Sequence, residues 1–352
     1  MNRFEYIRPA SVAEAVAAAS EPGATYLGAG TNLLDLMKGG ITKPTRLVDT
    51  THLPGLDRIE RLEGGAVRIG ALVRNTDLAY DQEFSKTFPS VAEAVLAGAS
   101  AQLRNAATTA GNLMQRTRCA YFYDPASACN KREPGAGCDA LHGANRTSAV
   151  VGWSEHCVAT HPSDLCVPLV ALDAVVEIDG KAGRREVPLE AFHRLPGDEP
   201  QRETVLEPGD LIVAVRLPVE AAAFAARSRY VKIRERTSYA FALVSVAAAL
   251  HLEGDRVAEA RVALGGVALK PWRAREAEAI LDGAAPDEAS YRKAADAALA
   301  AAKPSGDNAF KIELARRLIV RALTLAAAGT PERVPALPAS VFQAAQGSAI
   351  HA

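Results

Sequence analysis

Residues 119–157 read CAYFYDPASACNKREPGAGCDALHGANRTSAVVGWSEHC and hold four of the chain's five cysteines; the fifth is Cys166. No other feature restricts the fold so strongly. Pro125, Pro134, Gly135, Gly137 and Gly143 lie between the thiols, so the stretch is a loop too poor in apolar residues to repay the entropy of ordering it without a crosslink or a metal. Cys119, Cys129, Cys138 and Cys157 are separated by 10, 9 and 19 residues. Zinc fingers and knuckles pair their thiols about two to four residues apart, which disfavours zinc. Disulfides are the less natural choice in a chain that shows no export signal. Four thiolates could also enclose one iron–sulfur cluster, whose ligation would supply the folding energy that the loop lacks. Spacing alone leaves all three open. Cys166 opens an apolar run and reads as a small buried hydrophobe.

A chain of 352 residues exceeds the usual size of one core, so two or three compact units are expected around this loop. Hydrophobic residues make up 49%, charged residues 23%, and the net charge is −1. That balance gives no attraction toward nucleic acid or anionic lipid. The start, MNRFEYIRPASVAEAV, has no apolar signal region, and no stretch approaches bilayer-spanning length. The expectation is no membrane insertion and no signal of its own: cytoplasmic, or periplasmic by folded co-export on a signal-bearing partner.

Local patterns place the elements. Ser11 and Glu14 form a Ser-x-x-Glu helix entry; Ala24–Leu27 reads as a strand, followed by the loop GAGTN and a helix LLDLMK that stops at Gly39 and Gly40. TRLVDT completes a βαβ unit. GAVRIGALV reads as a strand, Ser90 as the entry to another Ser-x-x-Glu helix, VVEIDG and GDLIVAVRLP as strands. Residues 229–273 read as strands alternating with short helices, followed by alanine-rich helices and a long amphipathic helix over 307–328 carrying Ile312, Ala315, Ile319 and Ala322.

Two loops can cradle phosphate. Gly28 and Gly30 let backbone amides approach an anion at a helix start. A dinucleotide fingerprint would need a third glycine where Leu33 stands, although Asp49 sits where a ribose-binding acid would. NAATTAGNLMQ offers Thr108, Thr109, Gly111 and Asn112 for a second phosphate or a ribityl chain, with a capped turn as the plain alternative. Ser163 and Asp164 in THPSD form a third polar cluster, where helix capping is the plain alternative. Three cradles suit a long cofactor with a pyrophosphate in its middle.

Taken in order, LGAGTNLLDLMK, ASAQLRNAATTAGNL, THPSDL, YVKIRERTSYAFALVSVAAAL and VALGGVALKPWRA resemble the FAD-binding subunits of the molybdenum hydroxylases, the xanthine dehydrogenase and aldehyde oxidoreductase family. The cysteine-rich insertion resembles the branch with an extra [4Fe-4S] cluster in this subunit, found in heterotrimeric periplasmic aldehyde oxidoreductases. The resemblance implies an α+β chain: a two-part FAD-binding domain of the PCMH (vanillyl-alcohol oxidase-like) type over 1–220, divided into a 1–55 βαβ subdomain and a 56–220 subdomain with the insertion at 115–160. An α/β domain of the CO dehydrogenase flavoprotein type would follow over 221–328. The Pro-, Ala- and Ser-rich stretch 329–352 lacks periodicity and reads as an extended tail that lies on another subunit or stays mobile.

The resemblance also implies roles. Tyr26, Leu27, Gly28, Ala29, Gly30, Thr31, Asn32, Leu33 and Leu34 would wrap the FAD pyrophosphate. Thr108, Thr109, Gly111 and Asn112 would form the second loop, Asp164 would hold the ribityl or phosphate region, and Ile212 and Lys232 would lie near the isoalloxazine. Cys119, Cys129, Cys138 and Cys157 would hold the [4Fe-4S] cluster. The family's second loop usually reads Thr-Ile-Gly-Gly-Asn; Ala110 departs from it. Implied partners are a large molybdenum-cofactor subunit that oxidises aldehydes to carboxylic acids and a small subunit with two [2Fe-2S] clusters, with no catalytic residue on this chain. The alternatives are the FAD subunit of a xanthine dehydrogenase or 4-hydroxybenzoyl-CoA reductase type of enzyme, a stand-alone NAD(P)-dependent Rossmann dehydrogenase on Gly28, Gly30 and Asp49, and a zinc scaffold.

Overall fold

A computed structural model describes residues 1–332. Part of the expected tail, 333–352, lies outside the described residues. Strand β1 (Glu5–Ile7), β2 (Ala24–Leu27) and β3 (Arg46–Asp49) form a parallel sheet in the order β1-β3-β2. The helix Val12–Ala19 begins where expected: Ser11 Oγ accepts from Glu14 N at 3.2 Å, while Glu14 reaches back to Ala10 N at 2.9 Å. The helix Leu33–Lys38 ends at Gly39, completing the βαβ unit.

The second sheet is antiparallel, in the order β4-β5-β8-β6-β7: β4 (Ile59–Arg61), β5 (Val67–Gly70), β6 (Val175–Gly180), β7 (Gly183–Pro188) and β8 (Leu211–Leu217). The helices Pro89–Ala97 and Cys166–Ala171 share its core. Ser90 does not cap its helix. Pro89 occupies the first turn, where its missing N–H costs nothing, so the helix starts earlier, and Ser90 Oγ bonds Ser228 Oγ at 2.7 Å.

The third sheet corrects an expectation. β9 (Ser228–Ile233), β10 (Val244–Glu253), β11 (Arg256–Gly265) and β12 (Trp272–Arg273) run as an antiparallel meander in the order β12-β11-β10-β9, with no helix between them. Small residues explain it: VSVAAAL and ARVALG are buried on both faces, so their patterns lack the alternation that marks a half-exposed strand. The helices Arg275–Leu281, Glu288–Ala298 and Phe310–Ala327 follow, and the last packs on β10 through Ala315, Ile319 and Ala322. The two cores meet at β9, where Glu93 accepts from Arg229 Nε at 2.9 Å and Tyr230 N at 2.6 Å. Among the described residues no helix is long and apolar enough to cross a membrane.

Candidate functional site

A cleft of about 760 Å³ opens between the βαβ unit, the threonine turn and the third sheet, bordered by residues as distant in sequence as Thr31 and Gly266. Its volume falls within the usual range for cofactor sites, about 300–1,000 Å³. Thr31, Asn32, Gly111, Asn112 and Asp164 border it. Gly30 takes φ +74°, and a Cβ there would stand 2.8 Å from Leu34, so the loop turns as only glycine turns comfortably.

The strongest chemical signal is a set of unmet hydrogen bonds. Asn32 Nδ2, Asn75 Oδ1, Arg104 Nε, His161 Nε2 and Ser245 Oγ are buried, have no protein partner among the described residues, and all belong to residues that border this cleft. Unpaired buried polar atoms cost about 1–3 kcal/mol each, so the cleft is built for a polar ligand. Sequence reasoning missed Asn75, Arg104, His161 and Ser245 as ligand-facing groups, although the last three lie inside motifs it singled out. Tyr239, with φ +51°, and Phe241 are exposed at the same cleft.

Other expected residues take structural roles. Tyr26 donates to Gly209 O at 2.8 Å. Thr108 Oγ1 caps its helix by accepting from Gly111 N at 3.2 Å, and Thr109 Oγ1 donates to Val73 O at 3.0 Å. Asn112 N donates to Thr108 O at 2.8 Å, so the donor this turn leaves for the cleft is the Asn112 side-chain amide. Gly28 packs beside Thr108, so the two loops do meet. Leu27, Ala29, Leu33 and Leu34 support the first loop without bordering the cleft. Ala110 sits inside the helix Thr109–Leu113, where a methyl is harmless.

Ile212 is buried in the second sheet opposite Ile178, among core side chains, and does not border the cleft. Lys232 is likewise engaged elsewhere. Its Nζ lies 2.8 Å from Asp164 Oδ2 and 3.2 Å from Ala97 O, while Asp164 also accepts from Tyr230 Oη at 2.5 Å. Asp49 is used up by Tyr6, Thr51 N and Thr51 Oγ1, which removes the ribose-binding acid that a Rossmann dehydrogenase would need.

The thiols converge. Cys119, Cys129, Cys138 and Cys157 border one small pocket and form no disulfide. Cys129 and Cys138 face each other across a β-bridge. Backbone amides of Tyr121 and Phe122 serve Cys119, those of Ala140, Leu141 and Val158 serve Cys138, and that of Ala159 serves Cys157. Burial raises the Cys119 and Cys138 thiols and lifts Cys157 to about 11, opposed there by Lys131. Thr117, Cys119 and Ala159 border both this pocket and the cleft, so one wall divides them.

The three residues after Cys129 weld the insertion together, and sequence reasoning missed them. Asn130 donates to His156 O at 3.1 Å and accepts from Gly137 N at 2.8 Å; Lys131 donates to Pro200 O at 2.9 Å; Arg132 serves the carbonyls of Tyr121, Phe122 and Ser127. Polar side chains thus supply order that the apolar content could not.

Cys166 is fully buried as expected, but with company: one ligand atom each from Cys166, His161 and His193 lies within 4.8 Å of the others. His193 Nε2 is 3.0 Å from Leu113 O, which assigns its proton to that nitrogen. Burial takes His193 down to about 4 and His161 well below its ordinary value, so both rings are neutral.

Comparison with known proteins agrees with this geometry. Residues 2–220 match the FAD binding domain in molybdopterin dehydrogenase, and 229–326 the CO dehydrogenase flavoprotein C-terminal domain. The chain is 51% identical to the aldehyde oxidoreductase FAD-binding subunit PaoB of Escherichia coli K12, over 93% of this chain and 99% of that one. It is 30% identical to the carbon monoxide dehydrogenase medium chain of Hydrogenophaga pseudoflava, over 92% and 97%. A solved carbon monoxide dehydrogenase from that organism superposes with a TM-score of 0.73 at 29% identity, covering 93% of this chain and 98% of its own. With two domain matches spanning most of its length and a cleft whose unmet polar atoms suit a dinucleotide, this chain belongs to the FAD-binding medium subunits of the molybdenum hydroxylase family, a family of oxidoreductases.

Proposed function

We propose that the chain is the FAD- and [4Fe-4S]-binding electron-transfer subunit of a molybdenum-dependent aldehyde oxidoreductase, working between a small subunit with two [2Fe-2S] clusters and an external acceptor. The observation that carries this reading is the shared wall: a cleft with five unmet buried polar atoms stands beside a pocket ringed by four free thiols, with Cys119 bordering both. The aldehyde assignment leans on the likeness to PaoB.

Bound FAD would supply two-electron chemistry and the cluster one-electron passage. The chain's own part is to hold them. The Asn112 side-chain amide, with Thr31 and Asn32, would offer donors to the phosphates beside Gly111 and next to Arg104. Cys119, Cys129, Cys138 and Cys157 would hold the cluster, and the backbone amides beside Cys119, Cys138 and Cys157 oppose the effect of burial, which favours their thiol forms.

The full chain, purified with its partner subunits, should carry flavin and about four irons with acid-labile sulfide beyond those of the small subunit. Cys129→Ser should remove that iron and its brown absorbance while flavin stays. Zinc without sulfide would favour the scaffold alternative, and a preparation lacking both flavin and this iron would end the proposal. Turnover of aldehydes by the assembled enzyme, but not by this chain alone, tests the substrate assignment.

A further inference from the structure

Lys131 has a setting that its place in a loop does not require. Its side chain is only 1% exposed, and its Nζ reaches Glu203 Oε2 at 3.2 Å as well as Pro200 O. Glu203 is shared, since Arg116 Nε holds its other oxygen at 2.5 Å. Arg116 in turn lies over the ring of Phe122, which borders the thiol pocket. Two positive groups and one negative group leave one net positive charge. Among the described residues, Lys131 and His156 are the basic side chains that border the pocket. A buried charge against a cage of thiolates is weakly screened, so its influence is large.

We infer that Lys131, held against the thiol cage by Glu203 and Pro200, is a positioning residue that raises the reduction potential of the cluster bound there. The inference rests on the cluster reading given above. Reduction adds one electron to the cage and makes or breaks no bond; the cage gains one negative charge, which the uncompensated positive charge stabilises. A merely structural Lys131 would tie the insertion to residues 200–203 and leave the potential where it is.

Two substitutions of opposite sign separate these roles. An EPR-monitored titration of the full chain with dithionite should show Lys131→Met shifting the potential negative by at least tenfold in the reduction equilibrium, about 59 mV for one electron. Glu203→Gln, which preserves shape and frees positive charge, should shift it positive. Shifts of the same sign, or neither exceeding threefold, with iron content intact, overturn the inference. If Lys131→Met fails to retain iron, Glu203→Gln decides alone: a positive shift supports the inference, and no shift or a negative one overturns it. An unsubstituted chain that holds no iron would instead sink the cluster reading, and this inference with it.

Discussion

Replacing Lys232 by Met should destabilise the protein far more than loss of an ordinary lysine. In the Lys232–Asp164 pair the side chains are 4% and 9% exposed and the oxygen and nitrogen lie 2.8 Å apart. At an effective dielectric of about 20, their attraction is about 6 kcal/mol. Several kilocalories of desolvation per ion offset it, so the intact pair contributes little net. An uncharged methionine in place of the lysine would leave the Asp164 carboxylate buried with only Tyr230 Oη as a donor, a state that costs about 3–5 kcal/mol. With a urea slope of about 3 kcal/mol per molar, the unfolding midpoint should fall by roughly 1 M or more. Lys232→Met combined with Asp164→Asn should recover at least half of the loss, because the orphaned charge is gone. A single variant costing under about 1 kcal/mol, or a double variant no more stable than the single, would refute the reasoning. A lysine reaching out to a flavin ring would give that small stability effect and an altered flavin spectrum.

Other outcomes follow from the same geometry. Asn75→Ala should leave the melting temperature of the flavin-free chain nearly unchanged, since Oδ1 has no partner to lose, yet weaken flavin retention about tenfold, or 1.4 kcal/mol; equal retention in equilibrium dialysis would count against the cleft as the flavin site. Gly30→Val should cost about 1–3 kcal/mol because φ is +74° and Leu34 is in the way, measured by thermal unfolding. His193 binds its proton less tightly folded, at about 4, than unfolded, at about 6.5. The unfolded state therefore takes up more protons between these values, so the share of stability owed to His193 should be full above pH 6.5 and fall by about 3 kcal/mol as the pH drops to 4, with buried His161 adding a loss in the same direction; His193→Gln should make the slope shallower by its own share, and an unchanged slope would contradict it.

The parts of the fold legible in the sequence were those with short-range causes. Ser11, Glu14 and Gly39 act within a turn of their own helix, so the βαβ unit could be read directly. Ser90 misled because Pro89 offered an equally good start and Ser228, 138 residues away, claimed the hydroxyl. The third sheet hid behind alanines that pack on both faces and show no period. At the site, glycine loops and clustered thiols showed in the sequence because their chemistry is tied to residue type. Asn75 and His161 did not, since what marks them is the absence of a partner, which only the assembled cleft reveals. The engagement of Lys232 and the burial of Ile212 were set by pairings across the fold.

The wide sequence span of the cleft bears on the order of biosynthesis. Its walls include Thr31 near the start and Gly266 after β11, so a ribosome that has released only the first two hundred residues presents a socket lacking the side formed by residues 235–266. A dinucleotide seated there would complete its contacts only once translation has passed β11, and would act as a late fastener that draws the amino-terminal and carboxy-terminal domains together.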